Sequence, residues 1–213
     1  ITYCPECGAR LVRDEGEAAH RCPNDTHCPP QIKGRIEHFI SRKAMNIMTL
    51  GPETIDEYFS RQLIHNIADL YTLTPMQITG GNTNRMVSAQ KVVSSIRESV
   101  SVPFERVLFA LGIRMVGETT AKILARNFKS IDALMAAKVE ELTTIEGVGN
   151  TIAENVVAYF QNSDNRDIIE RLRAFGLQMS LSEQQLTLQG DTLAGKSIVI
   201  SGVFTHHSRD EYK

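Results

Sequence analysis

No stretch of this 213-residue chain is apolar for long enough to span a bilayer, and its N-terminus carries no signal-peptide pattern. Both absences argue against a membrane-spanning or secreted protein and for a cytoplasmic one. Cysteine is absent after Cys28, so no disulfide framework can run through the body of the chain. Nor is one sign of charge in excess. The formal net charge is −2, and its distribution says more than its sum. From Arg85 to Lys129 there are eight Lys or Arg against three Glu, whereas Ile131 to Thr192 has four against ten acidic residues. A positive middle precedes a negative tail. With 42% apolar residues the chain is of the soluble globular class, long enough for one large or two to three small domains.

The cysteines that are present, Cys4, Cys7, Cys22 and Cys28, follow a C-x2-C-x14-C-x5-C spacing. Thiolates paired in this way can hold one zinc ion tetrahedrally, and four of them leave no open coordination position. The expected zinc is therefore structural. Gly8, after Cys7, lets the knuckle turn. Two disulfides are the competing arrangement, disfavoured because nothing suggests secretion. His20 and His27 lie close in sequence, but a full thiolate set makes them neighbours and not ligands. From Pro29 to Ile47 apolar residues recur at helical spacing with basic ones between, which predicts a helix clamped to the metal module.

Two short glycine-bearing turns organise the remainder. One runs from Leu111 to Ala121 and the other from Ile145 to Ala153. Each joins an apolar-periodic segment (Phe104 to Leu111; Val139 to Ile145) to an amphipathic one (Ala121 to Phe128; Ile152 to Phe160). That is helix, tight turn, helix. Glycine at Gly112, Gly117, Gly147 and Gly149 offers positive φ and close approach to another surface. The N–H groups of Gly117, Glu118 and Thr119, and of Gly149, Asn150 and Thr151, then open the following helices as nests suited to phosphate oxygens. The plainer reading is an αα-hairpin whose glycines only permit packing. One hairpin alone would favour it; two at similar spacing shift the balance towards the nests. Arg106, Arg114, Lys122 and Arg126 flank the first turn and add to the expectation of a phosphate-bearing partner.

The cysteine pattern, followed over Cys28 to Met45 by C-P-x-Q-x-x-G-R-I-x-H-F-x-S-R-x-A-M, resembles the zinc-finger region of bacterial NAD-dependent DNA ligases. The resemblance continues almost to the end of the chain. It implies a mainly α fold with a small Cys4 zinc finger over residues 1–30. A helical domain of four helix-hairpin-helix motifs that binds duplex DNA follows over 31–178, with motifs near 45–60, 80–97, 105–126 and 140–160. A polar linker over 179–192 and the truncated start of an α/β BRCT domain over 193–213 complete the order. Leu50-Gly51-Pro52 resembles the first hairpin, with Thr49 where the family often has a glycine and Pro52 suited to a first helical turn. Ile64 to Leu73 reads as a helix, and Gly80 to Gln90 falls where the second hairpin belongs. No glycine lies inside that turn, so it is expected to pack and not to bind. The Gly112 and Gly147 hairpins match the third and fourth motifs. The residues expected at DNA are Gly51, Gly112, Arg114, Gly117, Glu118, Thr119, Lys122, Gly147, Gly149, Asn150 and Thr151, holding the backbone without reading bases. Ile168 to Phe175, stopped by Gly176, reads as a closing helix.

What the family uses for chemistry is missing. No lysine is followed by x-Asp-Gly, and no Asp-Gly occurs anywhere, so the adenylation centre that takes AMP from NAD is not among these residues. No catalytic residue is expected here, and NAD and magnesium belong to the parent enzyme only. The start at Ile1, just ahead of the first ligand, and an end inside a domain lead to the expectation of a piece of a longer protein. It should be inactive by itself, monomeric, cytoplasmic and nucleoid-associated, and bound to nicked duplex DNA without sequence preference. Two other classes stay open. One is a non-enzymatic helix-hairpin-helix module of DNA repair or recombination, against which the four-cysteine knuckle speaks. The other is a protein-interaction scaffold, in which the glycines serve packing alone.

Overall fold

Prolines and polar caps set where the helices of this chain begin. In a computed structural model that describes residues 1–13, 18–24 and 26–187, α1 (Pro29–Ile40) and α2 (Pro52–Ser60) both open on a proline, where the missing N–H costs no bond. Thr74 and Gln77 form a reciprocal capping box at α3 (Pro75–Thr79). Next come α4 (Met86–Glu98), α5 (Phe104–Ala110) and α6 (Glu118–Phe128). Ser130 caps α7 (Ile131–Ala136), which is followed by α8 (Val139–Leu142) and α9 (Asn150–Gln161). Asn162 caps α10 (Ser163–Ala174). This helix ends as the sequence predicts: Gly176, at φ +89°, lets its N–H reach Arg173 O and the Leu177 N–H reach Leu172 O.

Among the described residues the only β structure is three isolated bridges, so the fold is mainly helical. Residues 1–181 form one compact unit. Within the second, α11 (Glu183–Thr187) is started by Ser182, whose hydroxyl accepts from the Gln185 N–H. The stretch 193–213, expected from the sequence to begin a BRCT domain, lies outside the described residues, as does 188–192.

Two elements differ from the sequence expectation. Ile64 to Leu73 is no α-helix but a six-residue 3-10 turn, Ile67–Thr72. Asn66 and Asp69 box its start, and Leu73 turns extended just ahead of Thr74-Pro75, where the chain resists helix. Arg171 of α10 then fixes the turn by reaching Asp69 Oδ1 at 2.6 Å and Asn66 Oδ1 at 3.4 Å. Helix α7 was not foreseen, because six residues are too few to display a period. At the far end, buried Met179 and Leu181 bond to Ile131 and Lys129 through the backbone, so packing extends into the expected linker.

A single apolar core runs from α1 to α10. Helix α6 shows how the pattern works: Ala121, Leu124 and Ala125 are fully buried on one face, while Lys122 and Arg126 stand on the other. Alanine at 121 allows α5 and α6 to approach closely. Leu124→Ala should cost about 2–5 kcal/mol, read as a lowered urea midpoint at unchanged slope.

Candidate metal centre and nucleic-acid interface

The four cysteine sulfurs lie within 4.8 Å of one another, with Cys4 and Cys28 at 3.9 Å and Cys7 and Cys22 at 3.5 Å. A tetrahedral zinc with bonds of about 2.3 Å holds its sulfurs roughly 3.8 Å apart, whereas a disulfide needs about 2.05 Å. The thiols are free, so the disulfide alternative falls and the set fits a structural zinc. Gly8 turns the knuckle at φ +71°, and its N–H meets Cys4 O at 2.9 Å. Hydrogen bonding from the Ala9 backbone lowers Cys7 to about 6, while burial raises Cys22 and pushes Cys28 up to about 12. A bound dication would hold all four sulfurs as thiolates. His20 and His27 are exposed and stand outside the cluster, His27 pairing with Thr26.

The metal module grows directly into the helical body. Cys28 is at once a ligand and the N-cap of α1, accepting the Ile32 N–H at 3.0 Å. Gln31 of the same helix donates to Cys22 O at 2.8 Å. Ten residues after Cys28, His38 Nε2 donates to Phe109 O at 2.8 Å near the end of α5. A Cβ added at Gly112 would come within 3.4 Å of that imidazole. Gly112, at φ +68°, is therefore where α5 stops against α1, a positioning role and not a place in the turn itself.

The turns leading into α6 and α9 share one geometry. Val116 N–H meets Ile113 O, and Val148 N–H meets Ile145 O, both at 3.0 Å. Gly117 and Gly149 are then the N-caps, and their carbonyls accept from Ala121 and Ala153 at 2.9 and 3.0 Å. Both N-caps are exposed and extended, at φ −80°. The sequence argument from positive φ thus does not apply to them; what glycine contributes is bare backbone, since a Cβ at either would meet nothing within 4 Å. Positive φ falls two residues earlier, at Gly147 (+87°) and at Met115 (+62°), where a side chain costs about 1–2 kcal/mol. The turn into α2 follows the same plan, with Leu50 N–H to Ile47 O at 3.4 Å and Gly51 as N-cap. Thr49 needs no glycine, because the positive φ of this loop sits at Asn46.

None of these three glycine caps offers a side-chain acceptor to the first N–H groups of α2, α6 and α9, a trait they share with α1, α4, α5 and α8 but combine with a bare glycine backbone. Elsewhere Asn66, Thr74, Asn82, Ser130 and Asn162 fill that place with their own oxygens. The second hairpin is spent internally: Asn82 accepts from Asn84, Arg61 donates to Ile78 O and Gln77 O, and Arg85 pairs with Glu57.

Charges around the matched turns are inverted. Counting from Gly117 and Gly149, Arg114 corresponds to Glu146, Glu118 to Asn150 and Lys122 to Glu154. Lys122 meets Glu118 at 2.8 Å, and in mirror polarity Asn150 meets Glu154 at 2.6 Å. Thr119 and Thr151 stand at the same place and are both exposed. Glu118 also pairs with Lys43 of the first hairpin loop at 3.4 Å, a lysine the sequence reading missed because it lies 75 residues away. The two lysines hold the Glu118 carboxyl below its usual range. Arg106, expected at phosphate, instead donates to Arg42 O and Lys43 O at 2.7 and 3.1 Å and ties α5 to that loop.

Residues 3–29 match the NAD-dependent DNA ligase C4 zinc finger domain, and residues 106–169 match the helix-hairpin-helix motif. The chain is 58% identical to a DNA ligase of Phocaeicola vulgatus, 57% to one of Bacteroides fragilis and 53% to one of Parabacteroides distasonis. In each case the whole chain is aligned and spans 32% of the relative's length. The four-sulfur cluster, the hairpins and these matches agree with one another, and the chain corresponds to the zinc-finger and helix-hairpin-helix portion of bacterial NAD-dependent DNA ligases.

Proposed function

We propose that this portion holds nicked duplex DNA by its phosphate backbone while residues outside these 213 perform ligation with NAD. The observation that carries the reading is the pair of matched turns, in which α6 and α9 both open on an exposed glycine with no capping side chain and an open space where a Cβ would stand. Amides of Gly117, Glu118 and Thr119, and of Gly149, Asn150 and Thr151, each cradle one phosphate at the positive end of a helix dipole. The Gly51 start of α2 adds a third contact. Arg114 and Lys122 supply charge beside the third hairpin, and Gly112 and Gly147 shape the backbone that presents the amides. Such contacts fix register without reading sequence. The zinc is structural and supports the first helix. In the whole enzyme, AMP passes from NAD to a lysine and then to the 5′-phosphate of the nick, before the 3′-hydroxyl attacks.

Binding to nicked and intact duplex of one sequence, titrated across salt, tests this. The logarithm of affinity should fall against log salt by roughly 0.9 for each neutralised phosphate. Equal affinities with a steep slope mean a backbone clamp, and preference for the nick means the hairpins also sense the break. An affinity independent of salt would refute the proposal.

A further inference from the structure

The matched turns differ at one place in a way the fold does not require. Ile113 to Val116 and Ile145 to Val148 close with the same bond, and in both the third residue takes positive φ, whereas Thr49, at that place in the turn into α2, does not. The fourth hairpin puts glycine there, Gly147. The third hairpin puts Met115, at a backbone angle that a side chain resists. Core packing does not offset that resistance, for Met115 is 58% exposed while Ile113 and Val116 on either side of it are buried. Glycine would relieve this angle, as Gly147 does in the matched turn, and unlike Asn46, Gln62 and Lys129, which also take positive φ, Met115 presents an exposed apolar chain there.

We propose that Met115 is a DNA-contact residue, its thioether chain lying on the deoxyribose beside the phosphate held by Gly117, Glu118 and Thr119. This rests on the reading of those amides as a phosphate nest. Position favours it: Met115 lies two residues ahead of the capping glycine, about 7 Å of chain at most, on the exposed tip of the turn. Chemistry favours it too. Methionine is unbranched, polarisable and without strong donors, so it adapts to an uneven sugar surface and cannot discriminate bases by hydrogen bonding. The clamp is then asymmetric, with one hairpin pressing an apolar chain onto its strand and its counterpart approaching with bare backbone at Gly147.

The test compares the unsubstituted chain with Met115→Gly and Met115→Leu, by fluorescence anisotropy on one nicked duplex across salt, with thermal unfolding in parallel. Met115→Gly should lose about tenfold in affinity, roughly what partial burial of one apolar side chain supplies. Its salt slope should not change, because no phosphate contact is removed. Its melting temperature should hold or rise as the strained φ is relieved. Met115→Leu should recover most of the affinity. Equal or tighter binding by Met115→Gly would overturn the proposal, as would a loss that comes with a shallower slope or a lower melting temperature. If the unsubstituted chain itself does not bind, the phosphate-nest reading falls and this one with it; if it binds and Met115→Gly binds equally, only this one falls.

Discussion

Cys22→Ser should empty the finger of metal and unfold residues 3 to about 30 while leaving the helical body intact. Structural zinc in small modules supplies roughly 10–16 kcal/mol of apparent binding free energy, more than so short a segment can replace with its own contacts. Among the described residues its backbone is held by the isolated bridges of Tyr3 with Arg10 and Val12 with Arg21, the turn at Gly8 and the Cys28 N–H to Asn24 O, and no regular strand or helix lies ahead of α1. The expected signature is a fall in bound zinc, loss of amide protection through residue 28, and fraying of the first turn of α1, where Cys28 caps and Gln31 grips Cys22 O. Helical circular dichroism should otherwise persist, since the core begins at Ile36. If Cys22→Ser kept its metal and its amide protection, the assignment of four ligands would be wrong. Chelator should reproduce the effect in the unsubstituted chain, more readily as pH falls, because the thiolates must take up protons to release the ion.

The second large effect concerns the bare helix starts. Gly117→Val combined with Gly149→Val should abolish most DNA binding without unfolding the protein. Valine tolerates φ −80°, and its Cβ has open space at both places, so each change costs folding on the order of 1 kcal/mol, as for a poor N-cap. On the proposed reading the same Cβ would stand in the path of the phosphate. Hydrogen bonds to a charged group contribute about 1.5–3 kcal/mol, which places the loss per nest at roughly 10- to 100-fold. The single variants should not be equal. Gly117 is flanked by Arg114 and Lys122, and Gly149 by Glu146 and Glu154, so Gly117→Val should weaken binding more than Gly149→Val. Anisotropy titrations with unfolding curves in parallel check both halves of the statement. Unchanged DNA affinity in the folded double variant would favour a scaffold in which these glycines serve packing alone.

How much of this was legible in the sequence depended on the range of the interaction. The zinc cluster could be read because ligand chemistry is tied to residue type and spacing, and Cys4, Cys7, Cys22 and Cys28 duly converge. The hairpins at Gly117 and Gly149 could be read because a turn between two amphipathic periods is a local event. Local signals also misled. Gly112 and Gly117 look alike in the sequence, yet one is a left-handed helix stop packed near His38 and the other an extended cap. Arg106 counted as one more free cation until the fold brought it against the carbonyls of Arg42 and Lys43, some 63 residues away. The Lys43–Glu118 pair was hidden for the same reason. Helix α7 and the 3-10 turn at Ile67–Thr72 are shorter than the window over which a period can be recognised.

The first helix has a consequence for how such a protein can be divided or recombined. Modules move between proteins where the chain can be cut in an exposed linker crossed by few contacts. Between the finger and the helical body there is no such place. The last metal ligand caps α1, the helix runs on unbroken to Ile40, and by Ile36 it is already buried in the core. Exchange at residue 28 would leave α1 without its cap, and exchange after residue 36 would carry core side chains into a foreign finger. A hybrid joined between the two parts should therefore lose both metal affinity and helical stability.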